Sequence, residues 1–389
     1  MKRISTLILT IFVALTFCVP LSADSGETDT QVSVEVSADL KLTSKSCVLM
    51  EASTGTVLYE SNKDERLPPA SVTKVMTMLL ILEAVESGRI SFSDKVAASE
   101  RAASMGGTQI YLEPGEVMTV DELFKSVAVP SANDAAVALA EYVAGTEDEF
   151  VRQMNERAAM LGMLNTNFTN CTGLFDDSNH FTTAYDLAIA TKELLTHPVI
   201  HEYTTIWTDS LRNGTFGLAN TNKMLRTYQG MNGMKTGYTQ LAGHCLSGTA
   251  ERNGMTLIAV VLGGTSSKDR FADVASMLDY GFATYSVINM EREKEVEIEV
   301  KKGKESTVSA VAECGFSTVI KKGTDKNAEV ITKIEPFVEA PVEVGTQVGT
   351  VSYIINGKTV CVVPIRTTEA VEKANISDYF FRIMRTMLN

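Results

Sequence analysis

A serine and a lysine spaced three residues apart could act together in nucleophilic catalysis. The motif Ser-Val-Thr-Lys at residues 71–74 follows Pro-Pro-Ala at 68–70, and proline favours the first turn of a new helix. Ser71 is therefore predicted at a helix N-terminus, where backbone N–H groups stabilise developing negative charge. Lys74 follows one turn later on the same face, and burial would lower its pKa enough for the amine to accept the serine proton. Alone, the motif also fits an ordinary helix start with serine as cap.

Two further motifs place polar side chains at predicted junctions. Ser131 and Asn133 follow a proline between two helical segments, a place that could hold a hydroxyl and a carboxamide in a cleft, although such residues usually mark a turn or an N-cap. Lys235 and Thr236 precede Gly237 on a predicted strand, where glycine indicates the close approach of a backbone or ligand. The alternative for this motif is an edge strand with a solvated lysine. Each motif is a weak signal alone.

The order Ser-x-x-Lys, Ser-x-Asn, Lys-Thr-Gly is the signature of the penicillin-recognising serine acyl-transferases. Within that superfamily the chain resembles the low-molecular-mass D-alanyl-D-alanine carboxypeptidases of the penicillin-binding protein 5 type, serine peptidase family S11, over nearly all of the mature sequence. The resemblance rests on Pro-Pro-Ala-Ser-Val-Thr-Lys-Val-Met-Thr at 68–77, Ser-Ala-Asn-Asp-Ala-Ala at 131–136 and Gly-Met-Lys-Thr-Gly-Tyr-Thr at 233–239. Ala132 stands where the family often has glycine.

The resemblance implies an α/β fold with a penicillin-binding, β-lactamase-like peptidase domain. This domain would be an antiparallel sheet flanked by helices with a helical subdomain, followed by a small all-β domain and a C-terminal amphipathic helix. We therefore expect a signal peptide at 1–23, a linker at 24–40, the peptidase domain at 41–288, the all-β domain at 289–368 and the amphipathic helix at 369–389.

The local pattern of residues predicts several elements independently of the resemblance. Apolar runs and turn residues predict a hairpin, helices, strands joined by a tight turn at 252–254, and an alternating strand near 296–300. The predicted ranges are a hairpin at 47–59, helices at 72–85, 121–143 (broken at Pro130), 149–163 and 269–285, and strands at 238–249 and 255–262.

The resemblance also implies a role for each motif residue. Ser71 would attack the carbonyl between the two D-alanines of a stem peptide, Lys74 would be the general base, and Ser131 would relay the proton to the leaving amine. Backbone N–H groups of Ser71 and Tyr238 would form the oxyanion hole, and no step would need a cofactor or a metal. The expected substrate-binding residues are Asn133, Lys235, Thr236, Gly237, Tyr238 and Arg270.

Composition and the N-terminal residues restrict the possible partners. Lys and Arg total 35 against 48 Asp and Glu, a formal net charge of −13, which argues against a nucleic-acid binder. A short positive start, an apolar run and then small residues predict a secretory signal peptide. We therefore expect an exported, extracytoplasmic protein. The resemblance implies that its substrate is the D-Ala-D-Ala stem peptide of peptidoglycan and that its inhibitors are β-lactams.

The C-terminal residues predict an amphipathic helix. One apolar stripe has i, i+3, i+4 spacing and comprises Ile376, Tyr379, Phe380, Ile383, Met384, Met387 and Leu388. Arg382 and Arg385 lie on the opposite face, near lipid phosphates if the helix lies in a membrane interface. The helix is too short to span a bilayer, so we expect peripheral contact with the outer face of the cell membrane. Packing against its own protein is the alternative.

Other functions share the same motifs. A class A β-lactamase uses a glutamate to activate the deacylating water, and no glutamate lies between Glu156 and Glu193, where that loop would fall. A DD-transpeptidase differs in its acceptor, which no motif encodes. A non-catalytic protein that binds β-lactams or muropeptides is the remaining alternative.

Overall fold

A computed structural model describes residues 40–292, 294–323 and 327–388. The predicted signal peptide and all but the last residue of the predicted linker therefore lie outside the described residues. The described chain divides into a larger compact unit, residues 40–287 with 319–322, and a smaller one, residues 288–318 with 323–388 apart from the gaps just given. The predicted domain boundaries at 288/289 and 368/369 stay predictions.

The larger unit contains both helices and strands. They are β1 (Ser46–Glu51), β2 (Val57–Ser61), α1 (Lys74–Glu86), β3 (Lys95–Ala97), α2 (Glu100–Ala103), β4 (Val117–Thr119), α3 (Val120–Ala128), α4 (Asn133–Ala144), α5 (Glu147–Met160), α6 (Ala184–Leu194), α7 (Ile200–Thr204), β5 (Thr208–Leu211), β6 (Phe216–Ala219), α8 (Met224–Thr227), β7 (Met231–Thr239), β8 (Gly243–Arg252), β9 (Met255–Gly264) and α9 (Ser267–Thr284).

The later elements are mostly strands, and β10 and β13 have residues in both units. They are β10 (Tyr285–Met290), β11 (Val296–Lys301), β12 (Thr307–Ala312), β13 (Phe316–Lys321), β14 (Ala328–Ile334), β15 (Phe337–Glu339), β16 (Gln347–Ile355), β17 (Lys358–Thr367) and α10 (Ile376–Leu388).

A five-stranded antiparallel sheet in the order β2-β1-β9-β8-β7 is the centre of the larger unit. Successive residues of β9 alternate between two cores: Ile258 and Val260 pack in one, Leu257 and Ala259 in the other. Because side chains alternate across a strand, a strand covered on both faces is apolar throughout. This explains the unbroken apolar run at 257–262, and the predicted antiparallel sheet flanked by helices is confirmed.

The Ser-x-x-Lys motif lies at the start of a buried helix. Residues Ala70–Thr73 form a 3-10 turn that continues directly into α1. The residues of α1 from Lys74 to Leu82 are all buried, as expected for a helix that is apolar all round. Helix α3 begins with a capping box in which Thr119 and Glu122 satisfy each other's backbone N–H, and the second motif lies between α3 and α4.

The prediction of one strand at 238–249 is wrong. The chain forms two strands, because β7 ends at Thr239 and β8 begins at Gly243. Gly243 has φ +65°, a left-handed backbone that glycine adopts without strain, and the turn leaves Leu241 exposed. The turn at 252–254 is as predicted, with positive φ at Asn253 and Gly254. Strand β7, which carries the Lys-Thr-Gly motif, is one of the two edge strands of the sheet.

The smaller unit has its own sheet and its own core. Six strands lie in the order β14-β16-β17-β12-β11-β15, and β11 pairs with β15 in parallel. Val300, Val351 and Tyr353 are among the buried residues of its core. The small all-β architecture and the C-terminal helix that the resemblance implied are both present. Within the described ranges, every helix is too short or too polar to cross a membrane.

The free energy of unfolding should depend on a buried carboxylate of α9. Asp273 accepts hydrogen bonds from the backbone N–H groups and hydroxyls of Thr43 and Ser44, at 2.6–3.2 Å. We expect Asp273→Ala to lower the free energy of unfolding by about 2 kcal/mol or more, because it leaves several donors without an acceptor. Urea denaturation measures this. Asp279→Ala, on the exposed face of the same helix, is the control and should cost less than about 1 kcal/mol; equal losses would contradict the assignment.

Candidate active site

Ser71 and Lys74 form the centre of the site. Ser71 is half-buried and lies in the 3-10 turn, whereas Lys74 is fully buried at the start of α1. The Lys74 Nζ lies 3.1 Å from the Ser71 Oγ. The hydroxyl is therefore accessible, and the amine beside it is shielded from water.

The surroundings of the Lys74 amine suit its neutral form. Its Nζ donates to the Oδ1 of Asn133 at 2.6 Å and to the carbonyl of Thr172 at 2.9 Å. A neutral amine has two N–H groups for these two acceptors, which leaves its lone pair for the Ser71 hydroxyl. Burial lowers the pKa of Lys74 to about 7, although nearby Cys171 and Asp134 oppose this shift. A base that titrates near neutral pH is suited to general-base catalysis.

The second motif presents Ser131 at a strained junction between α3 and α4. Ser131 has φ +75°, which is uncommon for a residue with a side chain, and such strain is concentrated at functional sites. Its Oγ is buried and has no hydrogen-bond partner among the described residues. The hydroxyl is thus held ready for a group that enters the site.

Asn133 is engaged differently from the sequence expectation. Both ends of its carboxamide bind the protein, because Oδ1 accepts from Lys74 and Nδ2 donates to the carbonyl of Gly106 at 2.8 Å. Asn133 therefore orients the lysine amine, and its predicted contact with a substrate amide stays a prediction. The neighbouring Asp134, which sequence reasoning did not select, accepts the backbone N–H groups of Ile110 and Leu112 and fixes the segment beside Asn133.

The third motif occupies the edge strand β7. Lys235 is 1% exposed, so the alternative of a solvated lysine is wrong. Its Nζ donates to the carbonyl of Thr236 at 3.0 Å. The pKa of Lys235 lies well below its usual range, first because of burial and then because of the positive charges of Lys74 and Arg270. Thr236 is also buried, and its hydroxyl donates to Thr221 at 2.7 Å.

Gly237 allows this strand to touch the turn that carries the serine. A Cβ placed on Gly237 would lie 2.8 Å from the carbonyl oxygen of Pro69 and 2.9 Å from the backbone nitrogen of Ser71. A side chain at this position would separate the strand from the helix start, which explains the glycine. Tyr238 follows with its side chain exposed and stacked on His244, the ring centroids 4.4 Å apart.

Arg270 is a buried residue of α9 and not a surface charge. It is 8% exposed, and its Nη1 donates to the carbonyls of Gly237 and Cys245 at 2.8 and 3.3 Å. The guanidinium therefore binds the backbone of β7 at the Lys-Thr-Gly motif. Its Nε is buried without a partner among the described residues. The predicted contact between Arg270 and a substrate carboxylate stays a prediction.

A loop at residues 169–180 completes the site, and sequence reasoning missed it. This loop supplies the Thr172 carbonyl that binds Lys74, and it brings the buried imidazole of His180 within 2.8 Å of the Thr73 hydroxyl. A backbone carbonyl has no sequence signal. A histidine in a polar loop just before a Thr-Thr-Ala helix start is a signal, but a weak one.

Comparisons with known proteins identify the family. The family model described as D-alanyl-D-alanine carboxypeptidase, Peptidase_S11, matches residues 31–266, which is more than half of the chain. The chain belongs to this family. A second family model, the penicillin-binding protein 5 C-terminal domain, matches residues 282–373. The predicted resemblance and fold class are confirmed.

Individual relatives agree with the family assignment. The D-alanyl-D-alanine carboxypeptidase DacF of Bacillus subtilis (strain 168) is 41% identical over 99% of this chain and 98% of its own. The crystal structure of penicillin-binding protein 5 from Haemophilus influenzae has a TM-score of 0.72 at 30% identity and covers 86% of this chain and 99% of its own. The ampicillin-bound penicillin-binding protein D2 of Listeria monocytogenes has a TM-score of 0.58 at 33% identity and covers 63% of this chain and 100% of its own.

The acylation rate should follow the ionisation of Lys74. Only the neutral amine accepts a proton, so the rate constant for acylation by a penicillin should rise about tenfold per pH unit below the pKa and level off above it. With the pKa of Lys74 at about 7, we expect the midpoint near that pH in stopped-flow measurements. Lys74→Arg should be nearly inactive, because guanidinium does not lose its proton. Lys95→Arg, on the exposed face of β3, is the control and should retain the wild-type profile; substantial acylation of Lys74→Arg would exclude Lys74 as the base.

Proposed function

We propose that this serine-type D-Ala-D-Ala carboxypeptidase removes the terminal D-alanine from peptidoglycan stem pentapeptides through an acyl-enzyme at Ser71. The observation that supports this most strongly is the fully buried Lys74 amine 3.1 Å from the half-buried Ser71 hydroxyl. The pair contains a nucleophile and a base whose pKa is low enough to act at neutral pH.

In the first step, the Ser71 Oγ attacks the carbonyl carbon between the two D-alanines. The Lys74 Nζ takes the hydroxyl proton as the C–O bond forms. The carbonyl oxygen becomes negatively charged and is stabilised by the backbone N–H groups of Ser71 and Tyr238. The close approach of Gly237 to the serine turn, where a Cβ would lie 2.9 Å from the Ser71 backbone nitrogen, supports this placement, because it brings β7 beside the helix start.

In the second step, the tetrahedral intermediate collapses and the C–N bond breaks. The leaving amine of the terminal D-alanine needs a proton, which Ser131 relays from the Lys74 ammonium. The buried, unpartnered Oγ of Ser131 supports this role. Water then attacks the acyl ester and Lys74 accepts one of its protons. The bond between the carbonyl carbon and the Ser71 Oγ breaks, Lys74 returns the proton to that oxygen, and the shortened peptide leaves with a new terminal carboxyl group.

The remaining residues of β7 and α9 orient the substrate. Thr236 and Arg270 hold the terminal carboxylate, for which the planar guanidinium is suited. Lys235 contributes to the electrostatic field around Ser71 and Lys74. Asn133 contacts the substrate amide while its carboxamide also binds Lys74. The close packing of Arg270 on Gly237 supports a shared site for these groups.

A β-lactam enters by the same first step. Its strained amide is attacked by Ser71, and the ring-opened product remains as the acyl ester. The ampicillin-bound state of the Listeria relative supports this binding. Penicillins are therefore inhibitors that report directly on the nucleophile.

The fate of the acyl-enzyme separates this activity from the alternatives. Mass spectrometry of a stem pentapeptide after incubation should show the loss of one D-alanine. A cross-linked product with an added amine acceptor would instead indicate a transpeptidase. Rapid turnover of penicillin with an unchanged pentapeptide would indicate a β-lactamase.

The proposed cellular place of the enzyme is outside the cytoplasm, as its cell-wall family requires. We propose an exported chain with a signal peptide at 1–23, a linker at 24–40, a peptidase domain at 41–288, an all-β domain at 289–368 and a membrane-associated helix at 369–389. The described apolar side chains of α10 support the last assignment, because Ile376 is 90% and Phe380 60% exposed. Such a surface suits the interface of the membrane's outer face.

Ser71→Ala should abolish both penicillin labelling and release of D-alanine. The substitution removes the attacking oxygen and leaves the backbone N–H groups in place, so the thermal midpoint should change little. Intact-mass measurement after incubation with penicillin detects the adduct, and peptide mapping locates it. Ser276→Ala, on the exposed face of α9, is the matched control and should label normally. A covalent adduct on the Ser71→Ala protein would exclude Ser71.

Deleting residues 376–389 should release the enzyme from membranes without changing its activity on a small peptide. This cut retains Val371, which is buried in the core of the smaller unit. Phe380→Asp on the predicted stripe should weaken co-sedimentation with phosphatidylglycerol vesicles, because a charge on the buried face is costly. Phe381→Asp, one residue off the stripe, is the control and should have a smaller effect. An unfolded truncation, or full-length protein that never sediments, would contradict the anchor.

A further inference from the structure

The buried imidazole of His180 contacts both the turn that carries Ser71 and the loop that binds Lys74. We propose that His180 is a positioning residue that holds these two segments in register for acylation. The inference rests on the proposed roles of Ser71 and Lys74. It adds a residue that lies outside the three motifs and that does not touch either reacting atom.

The contacts of His180 determine its protonation state. The Thr73 hydroxyl donates to the carbonyl of Ala70 at 2.8 Å, so its oxygen is left to accept from the His180 Nε2–H at 2.8 Å. The backbone N–H of Thr169 donates to the His180 Nδ1 at 3.0 Å. Nδ1 must therefore be unprotonated and Nε2 protonated, so both contacts require the same neutral tautomer.

The environment of His180 maintains this neutral form. The ring is 2% exposed and lies 5.7 Å, between ring centroids, from Phe168. Burial lowers the pKa of His180 to about 4, although Asp177 opposes this shift. The imidazole is therefore neutral wherever Lys74 is neutral, and its two hydrogen bonds are present throughout the working pH range.

The Thr73 side of the bridge leads to the nucleophile. Ala70 has φ +48°, an unfavourable backbone conformation for a residue with a Cβ, and it directly precedes Ser71. The Thr73 hydroxyl binds the Ala70 carbonyl and so stabilises this turn. A Cβ on Gly173 would lie 1.9 Å from the same carbonyl oxygen and 2.5 Å from the Thr73 Oγ1. The turn and the loop are thus in direct contact at the position of the glycine.

The Thr169 side of the bridge leads to the base. Asn170 accepts the backbone N–H groups of Thr172 and Gly173 at 3.1 and 2.6 Å, which orders the loop. The carbonyl of Thr172 then accepts from Lys74 at 2.9 Å. Because His180 binds this loop at Thr169 and the serine turn at Thr73, it determines the position of the Lys74 acceptor relative to Ser71.

Four variants separate positioning from general stability. His180→Gln places an N–H donor where the Nε2–H was and so retains the hydrogen bond to Thr73. His180→Asn places an acceptor where Nδ1 was and so retains only the hydrogen bond from Thr169. His180→Leu removes both hydrogen bonds. His197→Gln changes another buried histidine, located beyond α6, and serves as the control. The acylation rate constant and the preceding non-covalent dissociation constant are measured for a fluorescent penicillin by stopped flow, on protein shown to be folded by circular dichroism.

We expect His180→Leu to slow acylation by about tenfold to a hundredfold, the size of effect that misplacement of a reacting pair produces, with the non-covalent constant unchanged. His180→Gln, which retains the contact with the turn that carries Ser71, should recover part of the rate, and His180→Asn, which retains only the contact with Thr169, should recover less. Combining His180→Leu with Thr73→Val should cost less than the sum of the two single losses, because both substitutions remove the hydrogen bond between His180 and Thr73, whereas Thr73→Val also removes the one between Thr73 and Ala70.

Several results would overturn the proposal. They are equal rates for the Gln, Asn and Leu variants, additive losses in the double variant, or a loss in His197→Gln as large as that in His180→Leu. If His180→Leu does not fold, equal rates for the Gln and Asn variants still overturn it. A wild-type protein without an adduct on Ser71 would instead refute the proposed function, so the two failures are distinguishable.

Discussion

The structure depends on one constraint: Lys74 must keep an amine buried beside Ser71 without an anionic partner. No carboxylate of the described residues lies within ion-pair distance of its Nζ, and the atoms that bind it are neutral oxygens. A permanent charge there would be costly to desolvate, whereas a neutral amine is satisfied by two acceptors and one hydroxyl. The same burial that shifts the ionisation also fixes the geometry. Acid–base chemistry and packing are therefore inseparable at this position.

Three separate parts of the chain supply what this amine needs. Helix α4 supplies the carboxamide of Asn133, the 169–180 loop supplies the Thr172 carbonyl, and β7 closes the site from the edge of the sheet. Gly237 allows the edge strand to reach the serine turn, and Arg270 binds the backbone of that strand from behind. A second buried lysine, Lys235, lies nearby, and burial together with the positive charges of Lys74 and Arg270 lowers its pKa well below the usual range. The protein thereby concentrates its polar groups where burial makes them reactive.

The sequence predicted the parts of this site that are encoded in side chains and local spacing. Ser71 and Lys74 share a helix face because of their separation, and Gly237 marks a close approach because no larger residue would fit. The sequence could not indicate the Thr172 carbonyl, since every residue has one. It also could not show that the Asn133 carboxamide is engaged at both ends, because that depends on segments distant in the chain.

Two expectations about β7 also failed because the local sequence did not determine the structure there. The apolar residues Leu241 and Ala242 concealed the turn between β7 and β8, where Gly243 adopts a left-handed backbone conformation. The alternative of a solvated Lys235 failed for a related reason, because an edge strand is exposed only where nothing covers it. Here the serine turn packs against β7 at Gly237. Which residues an edge strand buries is a tertiary property, and spacing alone does not determine it.

The most direct test of the account is the titration of the Lys74 side chain itself. Protein labelled with ¹³C at lysine Cε would be followed by NMR from about pH 5 to about pH 11, a range that includes both a pKa near 7 and the ordinary lysine value of about 10.4, with Lys74→Arg used to assign the signal. The account predicts that one lysine titrates near pH 7, where burial places the pKa of Lys74. A Lys74 signal that titrates with the exposed lysines near pH 10.4, about the value of an unperturbed side chain, would contradict it.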